Sequence, residues 1–205
     1  STRRRDQVAI SGPEDFDRVD ALRADSDAVM VGVGTVLADD PSLTVDDPER
    51  RERRRASGRD ENPARVVADS QVRTPTDARV LDDAATTYLL TSEAAPPDFV
   101  SDIEEAGAEV VAAGEQRVDL AATLDELESR GVERLMVEGG GELIFSLFAA
   151  DLVDELSVFV GPSVIGGRDA PTLADGEGFV DEFPALSLRE VERLDDGLLV
   201  QWDVE

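Results

Sequence analysis

Residues 133–148 decide the fold of this chain, and they read Glu-Arg-Leu-Met-Val-Glu-Gly-Gly-Gly-Glu-Leu-Ile-Phe-Ser-Leu-Phe. The pattern predicts a short buried strand over 134–137 and a helix over 142–151, with the three glycines as the turn between them. A diphosphate can approach such a turn closely, and the N–H groups and dipole of the following helix favour its charge. An ordinary tight turn is the alternative reading, but one glycine would satisfy it. We therefore predict a phosphate-binding turn, at which Gly140→Val would weaken cofactor binding and leave the fold largely intact.

Composition excludes many kinds of active site. The chain has 205 residues and is 41% hydrophobic, which is enough for one sizeable core, so a single domain over 1–205 is expected. No apolar run approaches the roughly 20 residues of a membrane span. It has no Cys and no His, and all 20 of its basic residues are Arg. These absences exclude soft-metal sites, thiol nucleophiles, His-based triads and lysine Schiff bases. What remains is chemistry that a bound cofactor performs, with no metal expected.

The charge predicts the environment of the protein. The 47 acidic and 20 basic residues give a net charge of −27, and the acids are spread along the chain. Salt near 1 M shortens the screening length to about 3 Å, so this repulsion indicates a halophilic, cytoplasmic protein. Nucleic acid is not an expected partner, because most of this surface repels phosphate. A membrane is not expected either, because no apolar run is long enough to span one. An acidic disordered chain is the alternative, which the regular apolar segments disfavour.

The first two thirds of the chain alternate between helices and strands. A helix is predicted from Pro13 to about residue 24, with Phe16, Val19 and Leu22 buried and Asp15 facing solvent. Further segments predict strands over 28–32, 65–69, 87–90, 108–111 and 134–137, with helices over 98–106 and after Asp119. This alternation is typical of a parallel sheet covered on both faces. Residues 46–63, with six arginines, are predicted to be a solvated, mobile loop, with binding of a substrate phosphate as the minority interpretation.

The last third of the chain predicts antiparallel strands. A strand is expected over 154–160, and strands over 186–194 and 198–204 flank Asp195-Asp196-Gly197 as a hairpin, with Val200, Trp202 and Val204 on one face. The predicted fold is therefore a three-layer α/β/α sandwich with a mostly parallel central sheet and antiparallel C-terminal strands.

Several polar residues follow the predicted strands at the edge where parallel sheets bind ligands. Thr35 and Asp39 follow a second glycine turn at 32–34, and Ser70 and Arg73 follow the strand over 65–69. Ser70 and Arg73 could therefore contact a nucleotide phosphate or ribose. The alternatives are a helix cap, a solvated carboxylate and a plain turn. Arg23, near a helix end, could equally be a partner of the helix dipole.

Five segments of the chain, in order, resemble one known family: 10–13 (Ile-Ser-Gly-Pro), 22–28 (Leu-Arg-Ala-Asp-Ser-Asp-Ala), 34–45 (Gly-Thr-Val-Leu-Ala-Asp-Asp-Pro-Ser-Leu-Thr-Val), 67–70 (Val-Ala-Asp-Ser) and 137–141 (Val-Glu-Gly-Gly-Gly). The family is the reductase domain of riboflavin biosynthesis, in its stand-alone archaeal, haloarchaeal type. The resemblance implies the dihydrofolate reductase fold and NADPH-dependent reduction of a ribosylamino-pyrimidine 5′-phosphate to its ribitylamino product. A dihydrofolate reductase-type enzyme and a non-enzymatic nucleotide-binding module remain alternatives.

The resemblance also implies roles for individual residues. Glu138 is expected to be catalytic, by orienting or protonating the substrate. The implied cofactor contacts are Thr35, Asp39, Ser70, Gly140, Gly141, Glu142 and Leu143, and the implied substrate contacts are Arg23, Leu43 and Glu138. Gln7 and Ala9 fall on the flank of the site, and Ala9 cannot supply the stacking aromatic ring of some relatives. Asp46 stands where relatives place a basic residue, so Arg50, Arg51 or another arginine nearby is expected to contact the substrate phosphate.

Two further expectations come from the resemblance. A homodimer is implied, formed through the C-terminal strands. The family also begins with a strand and a loop that would precede Ser1, about 15 residues at ordinary strand lengths. We therefore expect backbone groups of the strand over 28–32 to lose their natural partners, so that an open groove or a substituted pairing lies beside it, and we expect a nicotinamide pocket that lacks part of one wall.

Overall fold

The structure is a computed structural model that describes residues 10–167, 170 and 172–205. Gln7 and Ala9 lie outside the described residues. The helices are α1 (Pro13–Asp25), α2 (Val33–Asp39), α3 (Pro48–Ala56), α4 (Pro97–Glu105), α5 (Leu120–Ser129) and α6 (Gly141–Ala149), with a 3₁₀ turn at Arg79–Leu81. The strands are β1 (Ala28–Gly32), β2 (Ala64–Ala68), β3 (Thr87–Thr91), β4 (Ala108–Ala112), β5 (Leu135–Gly139), β6 (Glu155–Val160), β7 (Leu186–Leu194) and β8 (Gly197–Val204).

The first five strands form a parallel sheet in the order β4-β3-β2-β1-β5. The central strand β1 is buried along its whole length and sends alternate side chains to two apolar cores. Val29 and Val31 lie in one core, while Ala28 and Met30 lie in the other. Helices α2 and α4 pack in the first core and α5 and α6 in the second. These layers confirm the predicted α/β/α sandwich.

The last three strands form an antiparallel sheet in the order β6-β8-β7. The turn between β7 and β8 falls at the predicted residues, and there the carboxylate of Asp195 accepts the N–H groups of Glu14 (3.2 Å) and Asp15 (3.0 Å). The hairpin tip therefore satisfies two free donors at the start of α1. A parallel central sheet followed by antiparallel C-terminal strands agrees with the predicted fold class, and the two sets of strands form two separate sheets.

The open edge of the sheet is not where the sequence predicted it. Strand β1 pairs with β2 on one side and β5 on the other, so the expectation of an open groove beside Ala28–Gly32 is wrong. Within the described residues, β5 pairs only with β1 and β6 pairs only with β8. A cleft of about 1440 Å³ lies against these two strands, lined by Met136, Val137, Leu156 and Ser157 among others. After α5 the chain returns as β5, which pairs with β1. The free edge of the parallel sheet on this side is therefore β5 and not β1.

Helix α1 forms as predicted, but its burial does not follow the predicted stripe. Phe16 is 58% exposed, whereas Asp15 is only 3% exposed. Asp15 binds Arg18 at 2.7 Å and lies under the hairpin tip, while Phe16 lines the cleft. The apolar spacing identified a face of the helix correctly, but that face opens onto the cleft instead of a closed core.

The arginine-rich segment is a helix, which corrects the prediction of a mobile loop over 46–63. Asp47 caps α3 by accepting the N–H of Glu49 at 2.7 Å, and Pro48 is its first residue. Arg54 is buried and donates to the carbonyl oxygens of Ala24 (2.8 Å), Ser26 (2.7 Å) and Asp60 (2.9 Å). Arginine is a good helix former, and α3 is held by these polar contacts, which an apolar pattern cannot reveal.

Candidate functional site

The centre of the candidate site is an ion pair between Arg23 and Glu138. Arg23 lies in the last turn of α1, and Glu138 lies near the carboxyl end of β5, just before the glycine turn. The guanidinium binds the carboxylate through two bonds, Nε to Oε1 at 2.5 Å and Nη2 to Oε2 at 2.7 Å, and Nη1 donates to Thr44 O at 3.1 Å. Among the described residues, three of its five N–H groups are thus engaged, which leaves two for a ligand.

The surroundings of Arg23 are acidic. Burial acts to lower the pKa of Arg23, but the hydrogen bond and charge of Glu138, with the charges of Asp46 and Asp20, raise that pKa overall. The guanidinium therefore stays charged at every pH at which the protein is folded. Arg23 provides the positive charge that an anionic or hydroxyl-rich substrate would need beside Glu138.

The glycine turn leaves no room for a side chain at its centre. Gly140 is the N-cap of α6 and has a φ of 99°, and a Cβ added there would lie 3.1 Å from Gly32 N and 3.2 Å from Gly32 Cα. A Cβ on Gly139 would lie 3.2 Å from the hydroxyl oxygen of Thr35. The ends of the neighbouring strands β1 and β5 therefore touch through backbone atoms. This geometry contradicts our expectation that Gly140→Val leaves the fold intact, because a side chain at Gly140 would press against backbone.

The start of α6 can accept an anion beside this turn. Its N-cap residue, Gly140, has no side chain with which to bond the first N–H groups. Glu142 is exposed in the first turn, whereas Leu143 is buried in the second apolar core. Leu143 therefore anchors the helix, and what these two residues offer a ligand is mainly their backbone N–H groups.

Sequence reasoning missed Asp175, which lies beside this helix start. Its N–H donates to Gly141 O at 3.0 Å, its carboxylate accepts the N–H of Thr172 at 3.0 Å, and the carboxylate lies where a Cβ on Gly141 would be. Four residues after Asp175, Phe179 packs on Phe145 of α6 with ring centres 4.9 Å apart. No motif announced this contact, because it joins residues more than 30 positions apart through an irregular segment.

The remaining predicted residues lie at different distances from this centre. Thr35 touches the glycine turn, and Asp39 is exposed at the end of α2. Leu43 is only 2% exposed, with a left-handed φ of 54°, so its side chain belongs to the first core and supports the neighbouring Thr44. The structure thus brings Arg23, Thr35, Glu138 and the glycines together, and makes Leu43 a support beneath them.

Ser70 lies further along the same sheet edge, after β2, which is separated from β5 by β1. Its hydroxyl accepts the N–H of Val118 at 3.1 Å, and its carbonyl accepts the hydroxyl of Ser92 at 2.8 Å. Arg73, in the same loop, is exposed, with Nε 3.8 Å from the buried carboxylate of Asp69. The loop is therefore fixed in place while its arginine faces solvent.

The arginines expected to replace a basic residue at Asp46 are held by the chain itself. Arg50 binds Asp17 at 2.8 Å and Asp20 at 2.9 Å, and these partners raise its pKa. Arg51 binds Glu61 at 2.9 Å. The charges of Arg50 and Arg51 are thus already paired with carboxylates of the chain. Arg23 is the arginine that lies directly beside Glu138. Within the described part of the chain, no helix could cross a membrane and no group of three or more acids is arranged to hold a metal ion.

The chain is similar to named reductases over almost its full length. It is 50% identical over 196 residues to the 2,5-diamino-6-ribosylamino-4(3H)-pyrimidinone 5′-phosphate reductase of Archaeoglobus fulgidus, covering 96% of this chain and 88% of that protein. It is 47% identical over 199 residues to the reductase of the same name from Methanothermobacter thermautotrophicus, again covering 96% and 88%. It is also 32% identical to the riboflavin biosynthesis protein RibD of Actinobacillus pleuropneumoniae, of which it spans only 50%.

Solved structures agree with this relationship. A pyrimidine reductase-like protein from Corynebacterium diphtheriae superposes with a TM-score of 0.82 at 19% identity, over 96% of this chain and 83% of that one, which supports the fold. A deaminase/reductase of Thermotoga maritima superposes with a TM-score of 0.77 at 26% identity, over 100% of this chain and 52% of that one. The model of the RibD C-terminal domain matches residues 1–200. Together with the 50% identity, this match shows that the chain belongs to the RibD C-terminal domain family.

Proposed function

We propose that this chain is a cytoplasmic reductase that converts 2,5-diamino-6-ribosylamino-4(3H)-pyrimidinone 5′-phosphate to its ribitylamino product, with NADPH as reductant. The observation that carries the proposal is the Arg23–Glu138 pair at the end of β5, directly before a glycine turn that only backbone can line. The names of the 50% and 47% identical relatives supply the substrate.

The residues of the turn fit a dinucleotide. The closely approaching glycines Gly32 and Gly140 form a cradle that a Cβ would fill, and the start of α6, whose N-cap residue is a glycine, lies beside it. Gly140, Gly141, Glu142 and Leu143 would hold the diphosphate by their backbone, with Thr35 and Asp39 beside them. When bound, NADPH supplies a hydride for the carbon of the ring-opened sugar that carries the amino nitrogen.

Arg23 and Glu138 would orient the substrate. Glu138 accepts two N–H groups of the Arg23 guanidinium, so it can accept a substrate hydroxyl as well. We therefore propose that Glu138 orients the substrate and does not deliver a proton to it. The two remaining N–H groups of Arg23 would bind a phosphate or hydroxyl oxygen. Alignment of this kind accounts for a large rate increase without a strong nucleophile, in keeping with a chain that lacks Cys, His and Lys.

The loop after β2 supports NADPH over NADH. Arg73 is exposed beside Ser70 at the ligand-binding edge of the sheet and could pair with a 2′-phosphate. NADH lacks that phosphate. We therefore expect oxidation of NADH to be slower at equal cofactor concentration.

The test is the stoichiometry of turnover in about 2 M KCl, where screening is strong. One NADPH oxidised for each ribosylamino substrate consumed, with none oxidised when dihydrofolate is supplied instead, supports the proposal. Oxidation with dihydrofolate would indicate the alternative reductase. Cofactor binding without turnover of either substrate would indicate a nucleotide-binding module.

We further propose that the C-terminal sheet joins two copies of the chain. A register shift between Leu188 and Glu190 keeps Leu188 opposite Trp202 and Val191 opposite Val200. One face of the sheet is therefore apolar across all three strands, and it includes the exposed residues Val160, Leu186, Leu188, Val191 and Leu198. Such a face is unusual on a protein of net charge −27 and fits a second, identical copy. Light scattering should give a dimer mass for the native chain and a monomer mass for Leu188→Glu; a monomeric native chain would exclude this interface.

A further inference from the structure

The segment that joins α2 to α3 reaches the site without belonging to a helix or a strand. Residues 43–47 run past Arg23, and Thr44 O is the third acceptor of its guanidinium. Such a segment needs other partners for its buried backbone groups. It finds them in side chains: Val45 N donates to Asn62 Oδ1 at 3.0 Å, and Val45 O accepts from Arg51 at 3.0 Å.

Asp20 makes the most extensive of these contacts. It lies on α1, three residues before Arg23 and hence on the same side of the helix, and it is 7% exposed. Oδ1 accepts the N–H of Asp46 at 2.5 Å, and Oδ2 accepts the N–H of Asp47 at 3.2 Å and Nη1 of Arg50 at 2.9 Å. One carboxylate therefore ties α1, the 43–47 segment and α3 together.

The carboxylate is held in its charged form. Burial acts to raise the pKa of Asp20, but the N–H of Asp46 and the guanidinium of Arg50 lower that pKa overall. An amide in the same place would keep an acceptor oxygen but turn an NH₂ group toward these donors. Charge and geometry at Asp20 are thus both matched to its three partners.

We infer that Asp20 is a positioning residue for the substrate site. By holding the N–H groups of Asp46 and Asp47, it fixes the position of Thr44 O, which accepts a hydrogen bond from Arg23. Thr44 O in turn fixes the orientation of the Arg23 guanidinium, and with it the direction of the bound Glu138 carboxylate and of the remaining N–H groups. This inference rests on the proposed function for the identity of the substrate. It assigns Asp20 no contact with substrate or cofactor.

Asp17 provides a matched control. It lies one turn earlier on α1 and binds the same Arg50 at 2.8 Å, but its side chain is 67% exposed, and its bond is to Arg50 and not to the backbone of the 43–47 segment. Asp17→Asn therefore removes one charge partner of Arg50 and leaves the bonds from Asp20 to the N–H groups of Asp46 and Asp47. Asp20→Asn removes a charge partner of Arg50 and also disrupts those two bonds.

The experiment combines hydrogen exchange with kinetics. In Asp20→Asn we expect faster exchange in peptides covering 43–50, a KM for the pyrimidine substrate raised about tenfold, and kcat and the NADPH Kd changed less than about twofold. Asp17→Asn should match the native chain in all four. Asp20→Glu keeps the charge but moves the carboxylate oxygens, so it replaces Asp20→Asn in the experiment if the amide variant does not fold. We expect Asp20→Glu to raise the KM for the pyrimidine substrate as well.

The outcomes separate the two proposals. If Asp20→Asn and Asp17→Asn have equal exchange and equal KM, or if kcat falls as much as KM rises, Asp20 is not a positioning residue. If the native chain does not reduce the substrate, the proposed function fails. The exchange comparison still decides whether Asp20 holds the segment.

Discussion

At the residue scale, the chemistry depends on the fork geometry of Arg23. A lysine at this position would keep one positive charge but could not hold both oxygens of Glu138 and Thr44 O together. We expect Arg23→Lys to raise the substrate KM about tenfold or more, and to change the NADPH Kd less than about twofold. Steady-state kinetics and cofactor titration check this. Equal losses for both ligands would mean that Arg23 is only structural.

Gly140 is the second residue on which the site depends. A Cβ there meets the backbone of Gly32 at 3.1 Å, while Gly131 has a similar φ of 91° with no atom within 4 Å of an added Cβ. Gly131→Ala should therefore cost only the strain of a left-handed alanine, about 1–2 kcal/mol. Gly140→Ala should cost about 1–3 kcal/mol more from overlap and should also weaken NADPH binding.

Urea unfolding of these two variants separates strain from contact. The free energy of unfolding should fall further for Gly140→Ala than for Gly131→Ala, with only the former losing cofactor affinity. Equal losses of stability, with NADPH affinity unchanged in both, would show that the backbone contact between the two turns is unimportant.

At the element scale, α3 stabilises the helix that carries Arg23. The buried Arg54 binds Ala24 O and Ser26 O at the C-terminal end of α1. Arg54→Met would leave these carbonyl groups without a partner and should lower the free energy of unfolding by about 2–4 kcal/mol. Arg53→Met, at the exposed neighbouring position on the same helix, should change it by less than about 0.5 kcal/mol. Similar unfolding midpoints for the two variants would contradict a structural role for Arg54.

At the scale of the whole molecule, charge should control stability. With a net charge of −27, the folded chain repels itself in dilute buffer, and salt screens that repulsion. The thermal midpoint should rise steadily between about 0.1 and 2 M KCl. Guanidinium is itself a salt, so urea or heat is the suitable denaturant. A midpoint that is independent of KCl would contradict the halophilic interpretation.

Sequence patterns predicted the elements of this molecule better than their surroundings. Apolar runs such as Ala28–Gly32 marked the buried strands to within a residue or two, because complete burial leaves a continuous apolar signal. The same patterns could not show that Phe16 opens onto a cleft, that β5 occupies the edge of β1, or that Arg54 is buried on polar partners. Each of these depends on contacts between distant segments.

The candidate site divides in the same way. Motifs singled out Arg23, Glu138 and the glycines, but not that Arg23 and Glu138 bind each other. Asp20 and Asp175 carried no signal, because an aspartate on a helix face or in a loop is common in so acidic a chain. Their roles follow from backbone N–H groups that no local pattern reveals.

The most direct test of the central claim is the fate of the hydride. NADPH deuterated at C4 of the nicotinamide, in each of its two stereoisomers, is supplied with the ribosylamino-pyrimidine phosphate in molar KCl, and the product is analysed by NMR. One stereoisomer should place a single deuterium on the ribityl carbon bonded to the amino nitrogen. A product without deuterium at that carbon from either stereoisomer would contradict direct hydride transfer at the Arg23–Glu138 site.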